Sequence, residues 1–300
     1  MKKTLPVALL ALAITTAVAL PARGANPAPS GPVGVGNGAF HAQCAYSHSL
    51  KDDPIVFPNG PGASHLHDFF GSTSTDAMST NESIQLSATS CVRYASSSPY
   101  ADQSAYWVPS LYVADTLVDP IETGVYYKTG IRHMQSIKPY PKGFRMIAGT
   151  SSGAPQMHFS GERIWAYLCP GGVLQAQTST TAPTCKTNEI NVSIRFPDCW
   201  DGFSLDSSDH KKHAAYSRKA IGATVRTCPP THPVATPWLE MITRYPTSGG
   251  PTLKLSSGAI NTAHADFMNG WDQAKQVALV KNCLNVDKYC GGADEPVPGH

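Results

Sequence analysis

Eight cysteines constrain the fold of this chain more than any other feature of the sequence. Their number is even, and all of them follow an N-terminal segment that is typical of an export signal. In an oxidising compartment such a set predicts four disulfides. About a hundred pairings are possible, and spacing only suggests that sequence neighbours pair. The suggested pairs are Cys44 with Cys91, Cys169 with Cys185, Cys199 with Cys228, and Cys283 with Cys290.

The N-terminal residues predict export. Met1-Lys2-Lys3 is a basic start, residues 5–20 are mostly apolar, and Ala17-Val18-Ala19 offers a small-residue cleavage site. The apolar run is shorter than the ~20 residues that a membrane-spanning helix needs. We therefore expect a signal peptide over residues 1–25, a secreted protein, and no membrane partner after cleavage.

The balance of acidic and basic residues indicates that the protein does not bind nucleic acid. The chain has 23 Lys and Arg against 21 Asp and Glu, and three of the basic residues lie in the predicted signal peptide, which leaves 20 against 21. No run of Lys and Arg is longer than two residues, whereas nucleic-acid-binding proteins carry a basic face. We expect no nucleic-acid partner.

Short apolar runs bounded by Gly, Pro or Asp predict a protein built mainly of β-strands. Along the run 190–196, apolar and polar residues alternate, which is the pattern of a half-buried antiparallel strand. The stretch from Asp272 to Leu284 is the clearest helix, because Val277, Val280 and Leu284 would share one face behind an acidic start.

No internal repeat or second linker divides the chain, which indicates one folded domain over residues 40–290. Before it lies a flexible Pro- and Gly-rich leader, 26–39, and after it a polar tail, 291–300, that we expect to be disordered. The predicted fold class is mainly β, with α+β as the alternative. We expect a single antiparallel, sandwich-like domain with a few peripheral helices and disulfides.

Histidines that occur beside carboxylates are the main candidates for a functional site. On a strand, His65 and His67 would point to the same face, and so would His264 and Asp266. His210 and His213 would be neighbours on a helical turn. Imidazole moves protons near neutral pH and is the commonest ligand of several transition metals. The catalytic candidates are His65, His67, Asp68, Asp201, Asp209, His210, His213, His232, His264 and Asp266.

Four of these residues, His65, His67, His264 and Asp266, are also candidate ligands of a divalent metal. Two simpler interpretations stay open. Any single histidine can be a structural residue that anchors a loop, and an Asp beside Gly or Ser can be a turn cap.

Aromatic side chains can stack on sugar rings, although most tryptophans in a folded protein belong to the core. Trp200 and Trp271 lie in polar, Gly-containing segments where core packing is a weaker explanation. The candidate substrate-binding residues are Trp107, Trp200, Tyr216 and Trp271.

Several ordered motifs carry a resemblance to a known family. They are Asp53-Pro-Ile-Val-Phe-Pro58, Gly62-Ala-Ser-His65-Leu-His67-Asp-Phe-Phe-Gly71, Tyr106-Trp107-Val-Pro109, Phe196-Pro-Asp-Cys199-Trp-Asp-Gly202, Leu205-Asp-Ser-Ser-Asp209-His210-Lys-Lys-His213, Cys228-Pro-Pro-Thr-His232-Pro233 and His264-Ala-Asp266-Phe-Met-Asn-Gly270-Trp-Asp272. In these motifs the chain resembles the secreted DUF1996 family, a domain of unknown function, over nearly the whole mature chain. The resemblance implies export, a single domain and a cell-wall or polysaccharide setting in fungi or actinomycete-type bacteria. It implies no activity.

The sequence supports three hypotheses of function. The first is a secreted protein whose His- and Asp-lined cleft acts on a cell-wall or environmental polysaccharide, by hydrolysis and with a divalent metal as the possible cofactor. The second is a non-catalytic glycan-binding or cell-wall structural protein. The third is an extracellular metal-binding protein.

Overall fold

Antiparallel strands make up most of the chain in a computed structural model, which describes residues 38–93, 101–130, 136–153, 164–171, 181–220, 222–223 and 225–290. The predicted signal peptide, the leader up to residue 37 and the tail 291–300 lie outside the described residues. The described residues are mostly β, with 39% strand and 10% helix among them, and the antiparallel sheets form a near-barrel or sandwich. The predicted fold class is therefore confirmed. None of the described helices is both long and apolar enough to cross a membrane.

The strands and helices have the following bounds. The strands are β1 (Ala39–Leu50), β2 (His67–Gly71), β3 (Cys91–Arg93), β4 (Ala105–Pro109), β5 (Leu111–Val113), β6 (Thr116–Val118), β7 (Glu122–Lys128), β8 (Arg145–Gly149), β9 (Trp165–Leu168), β10 (Ile190–Arg195), β11 (Cys199–Trp200), β12 (Ala214–Ala215), β13 (Arg218–Lys219), β14 (Arg226–Thr227), β15 (Val234–Ala235), β16 (Trp238–Tyr245), β17 (Leu253–Leu255) and β18 (His264–Met268). The helices are α1 (Asn81–Leu86) and α2 (Gln273–Leu279), with a 3-10 turn at Ile260–Thr262 and a π-helical turn at Val280–Leu284.

One large sheet organises the molecule. Its strands follow the order β8-β18-β4-β2-β1-β7-β16-β10-β9, and β3 pairs with β1 beside that path. Most neighbours in this order are distant in sequence. In particular, β18 from the C-terminal part of the chain lies between β8 and β4.

Strand β10 differs from the prediction of a half-buried strand, because both of its faces are covered. Ile190, Val192 and Ile194 point into the core as expected, yet Ser193 on the opposite face is also fully buried. Its hydroxyl donates to Glu240, which is paired with Lys128 and Arg195. The alternation of apolar and polar residues predicted the strand correctly. The sequence pattern does not distinguish a polar residue on a buried face from one that faces solvent.

The predicted helix begins at Asp272, whose side chain accepts a hydrogen bond of 3.0 Å from the backbone N–H of Lys275. The regular helix ends at Leu279 and continues as the π-helical turn. Val280 and Leu284 are buried as predicted. Val277, which was predicted to share their face, is 48% exposed, whereas Gln276 is fully buried.

The four disulfides join the cysteines that the spacing suggested. They link Cys44–Cys91, Cys169–Cys185, Cys199–Cys228 and Cys283–Cys290. The first ties β1 to β3, and the last closes the C-terminal segment, where the Cys290 N–H donates to the carbonyl of Ala39 in β1.

The sheet carries a second, smaller core beneath β2, β4, β8 and β18. Phe69, Trp107 and Asp266 face one another across three strands, and Ile147 lies opposite Asp266. Because residues two apart share a face of a strand, His67 and His264 lie on this same side of the sheet. The buried members of the cluster are Ile55, Phe69, Ile84, Ala105, Trp107, Ile147 and Met268.

Candidate functional site

Three histidines converge above the smaller core. His67 begins β2, His264 begins β18, and His65 lies two residues before His67 in the approach to the strand. The ring centroid of His65 lies 4.2 Å from that of His67 and 5.0 Å from that of His264. The Nε2 atoms of His65 and His264 are 3.2 Å apart. One ligand atom from each residue lies within 4.8 Å of the others. The structure thus brings three of the predicted metal ligands together.

Backbone carbonyls fix the orientation of two of these rings. The Nδ1 of His67 lies 2.9 Å from the carbonyl of Asp52, and the Nδ1 of His264 lies 2.8 Å from that of Thr262. Because a carbonyl only accepts, we assign the proton to Nδ1 in both rings. Each Nε2 therefore presents a lone pair to the centre of the group, which is the arrangement that second-shell carbonyls give to metal-binding histidines.

Burial keeps the three imidazoles neutral. Loss of solvation lowers the pKa of His67 well below its usual range, and the neighbouring rings lower it further. Burial also lowers the pKa of His264 to about 4 and, to a smaller extent, the pKa of His65. Neutral imidazole is the form that binds metals.

A buried carboxylate lies in a second group that shares His67 with the first. Asp266 is 1% exposed, and neither of its oxygens has a hydrogen-bond partner among the described residues. It forms a second close group with Asp53 and His67, again within 4.8 Å. Burial raises the pKa of Asp266 well above its usual range, the charge of Asp53 raises it further, and Lys211 opposes both. An unpartnered buried carboxylate is costly, which points to a ligand at this position.

Four members of these two groups line an open cleft of about 400 Å³, and His67 is buried behind them. Its lining brings together residues from four distant parts of the chain. The lining residues are Asp53, Val56, Phe57, Ala63, Ser64, His65, Ile147, Thr150, Ser151, Asp209, His210, Lys211, His264 and Asp266.

His210 is held on the wall of the cleft by a carboxylate. Its Nδ1 lies 3.0 Å from both oxygens of Asp206, so this nitrogen carries a proton and Nε2 is the atom left for other partners. The backbone of His210 has φ +57°, in the left-handed region that non-glycine residues rarely occupy. Such strain in a cleft is common at functional sites. A histidine oriented by Asp is suited to proton transfer.

Other predicted site residues lie elsewhere. Asp68 points away from the cleft, because neighbours on a strand face opposite sides. It accepts from the hydroxyls of Ser49 and Ser110 within the main core, where burial raises its pKa to about 6. Asp201 caps a turn, accepting from the backbone N–H groups of Phe203 and Ser204.

Two histidines also have structural positions. His213 is buried, with its ring nitrogens next to the Ser207 hydroxyl and the carbonyl of Arg145, so it does not join His210. His232 lies near the surface, where its Nε2 contacts the carbonyl of Lys212. Of the predicted residues between Asp201 and His232, Asp209 and His210 line the cleft.

The aromatic predictions need correction. Trp107 is completely buried in the smaller core, and Trp271 is buried with its indole N–H donating to Tyr127, so neither offers a face to a sugar. Trp200 and Tyr216 are partly exposed but do not line the cleft. The aromatic side chain that does line it is Phe57, which is 42% exposed.

Asp53, Phe57 and Lys211 are cleft residues that the sequence patterns missed as site residues. All three lie inside or beside the motifs of the family resemblance, which was the one available signal. No spacing rule relates them to His65 or His264, because the strand order of the sheet brings them together.

Comparisons with known proteins give a family and no function. No curated protein and no solved structure matches the chain. The family described as "Domain of unknown function (DUF1996)" matches residues 53–271. This range includes every lining residue of the cleft and covers most of the chain. The chain belongs to the DUF1996 family.

Proposed function

We propose that the protein is an extracellular, metal-dependent enzyme that hydrolyses a polysaccharide in this cleft. The observation that carries the proposal is the close group of three imidazoles, which shares His67 with the group that holds the unpartnered carboxylate of Asp266, beside an open cleft. The four disulfides and the predicted signal peptide support an extracellular location.

The donor set fits a first-row divalent ion such as zinc. Two nitrogens bound to one tetrahedral zinc lie about 3.3 Å apart, and the Nε2 atoms of His65 and His264 are 3.2 Å apart. His67 would supply the third nitrogen, and Asp266 a carboxylate oxygen or a base beside the ion. A bound ion of this kind lowers the pKa of its water and polarises the bond under attack.

His210 is the proposed proton carrier. Its Nδ1 proton is held by Asp206, which leaves Nε2 to accept or return a proton at the substrate. It lines the same cleft as His65 and His264. Metal and proton carrier would thus act on one substrate in the same cleft.

Metal content and turnover test the proposal with two matched variants. We expect purified protein to hold about one equivalent of metal, by elemental analysis, and to shorten at least one member of a cell-wall glycan panel. His67→Ala removes one donor and should lose both properties. His232→Ala changes a histidine outside the cleft and should retain both.

A glycan pull-down, added to these measurements, separates the other functions. Retention of a glycan in a pull-down without shortening would favour a binding or structural protein. Tight metal uptake without glycan affinity would favour metal capture. Protein that takes up no metal and turns over no glycan would contradict the proposal.

A further inference from the structure

The first wall of the cleft is apolar and is shaped by Asp53. The Oδ1 of Asp53 accepts from the backbone N–H groups of Ile55 and Val56 at 3.0 and 2.9 Å, and its carbonyl accepts from the N–H of Phe57. Ile55 anchors this turn in the smaller core. The turn therefore presents Val56 and Phe57, both partly exposed, to the cleft. An exposed aromatic face in a cleft suits the C–H face of a sugar ring.

The opposite wall is cationic. Lys211 follows His210, is half-buried, and its Nζ donates to the carbonyl of Gly149 at 2.5 Å. That single acceptor leaves two ammonium hydrogens for other partners. Lys212, the next residue, has a side chain that is 81% exposed and pairs with Asp209, a lining residue of the cleft.

A metal ion would change the charge balance of the cleft. The carboxylates of Asp53 and Asp266 match the charge of one divalent ion. Lys211, whose ammonium otherwise has the charges of Asp266 and Asp209 nearby, then keeps Asp209 as its counter-charge, and Asp209 is also the ion-pair partner of Lys212. A half-buried ammonium that shares its counter-charge with a second lysine favours an anionic partner.

Resting on the proposed function, we infer that the cleft takes a glycan with acidic substituents. Its sugar ring packs on Phe57 and its acidic group binds Lys211, with the reacting bond above the histidines. The chemistry that Lys211 recognises is an anionic oxygen, which either a uronate carboxylate or a sulfate ester supplies.

Binding measurements on metal-loaded protein test this inference without requiring turnover. The probes are oligogalacturonate with its carboxyl-reduced counterpart, and sulfated dextran oligomers with plain dextran, titrated by calorimetry after removal of free metal. We expect the preferred acidic oligomer to bind at least 10-fold more tightly than its neutral counterpart, and its affinity to fall as salt rises. The carboxylate and sulfate arms identify the acidic group.

Two variants with matched controls locate the contacts. Lys211→Met should weaken binding of the acidic oligomer about 10-fold and leave the neutral one unchanged. Lys212→Met makes the same change in net charge and should shift either affinity less than about 2-fold. Phe57→Ala should weaken both oligomers, whereas Phe203→Ala, which removes a 79% exposed ring outside the cleft, should weaken neither.

The outcomes distinguish this inference from the proposed function. Metal uptake with equal affinity for acidic and neutral oligomers overturns the inference alone. Equal effects of Lys211→Met and Lys212→Met also overturn it, because the preference would then reflect overall charge. Protein that takes up no metal overturns the proposed function and this inference together.

Discussion

Adjacent residues can have unrelated roles when they lie on one strand, as His67 and Asp68 show. His67 lies on the side of β2 that carries the histidine group, whereas Asp68 lies on the other side, within hydrogen-bond distance of Ser49, Ser110 and Tyr245. The hydroxyls lower the pKa of Asp68 against a larger opposing effect of burial. Asp68 is thus a buried core residue whose carboxyl group has hydrogen-bond partners. In the sequence pattern His-x-His-Asp, the histidines belong to the candidate site and the aspartate belongs to the core.

His41 gives a pH-dependent prediction at the residue scale. It is buried in β1 against Tyr126, and burial together with the charge of Lys128 lowers its pKa from 6.5 to about 4. Below pH 6.5 the His41 imidazole binds a proton in the unfolded chain, whereas in the folded chain it binds a proton only below about pH 4. The free energy of unfolding should therefore fall as the pH drops through this window, by about 3 kcal/mol from this residue.

The variant His41→Gln isolates that contribution. Denaturant unfolding of the variant and the wild type should be compared from pH 7 to pH 4. We expect the variant to lose about 3 kcal/mol less stability than the wild type across this range. Parallel curves for the two proteins would contradict the prediction.

At the scale of elements, the disulfides cross-link loops of very different length. Cys44–Cys91 spans 47 residues and joins two paired strands, while Cys283–Cys290 spans 7 residues after α2. In the chain-entropy description, a cross-link restricts the unfolded chain more when the closed loop is longer. The two bonds should therefore contribute unequally to stability.

Paired replacements test this ranking. We expect Cys44→Ala with Cys91→Ala to lower the free energy of unfolding by about 4 kcal/mol, and Cys283→Ala with Cys290→Ala by about 2 kcal/mol. Denaturant unfolding with the other bonds intact measures both. Equal losses, or the reverse order, would show that native contacts of the cysteines outweigh loop entropy.

At the scale of the whole molecule, sequence predicted the parts of the fold that depend on local pattern. The Asp272 cap, the apolar alternation of β10 and the neighbour pairing of cysteines are all local. The sequence predicted the candidate site only as separate groups of His and Asp residues. That His65, His67 and His264 lie together depends on the pairing of β18 with β4, which the sequence did not predict. Such long-range pairing has no signature in spacing, and neither does the burial of Trp107 beneath the site.

The position of the histidines on a preformed sheet yields the last prediction. His67 and His264 belong to β2 and β18, which are paired through β4 and rest on their own small core. Metal should therefore stabilise a protein that is already folded. Free metal at about 100 times its dissociation constant should raise the free energy of unfolding by about 2.7 kcal/mol, and chelation should leave the far-UV circular dichroism unchanged.

The variant His67→Ala should abolish this metal-dependent rise, whatever the stability of the variant itself, while His232→Ala should keep it. Unfolding upon chelation would instead mean that the ion holds the strands together.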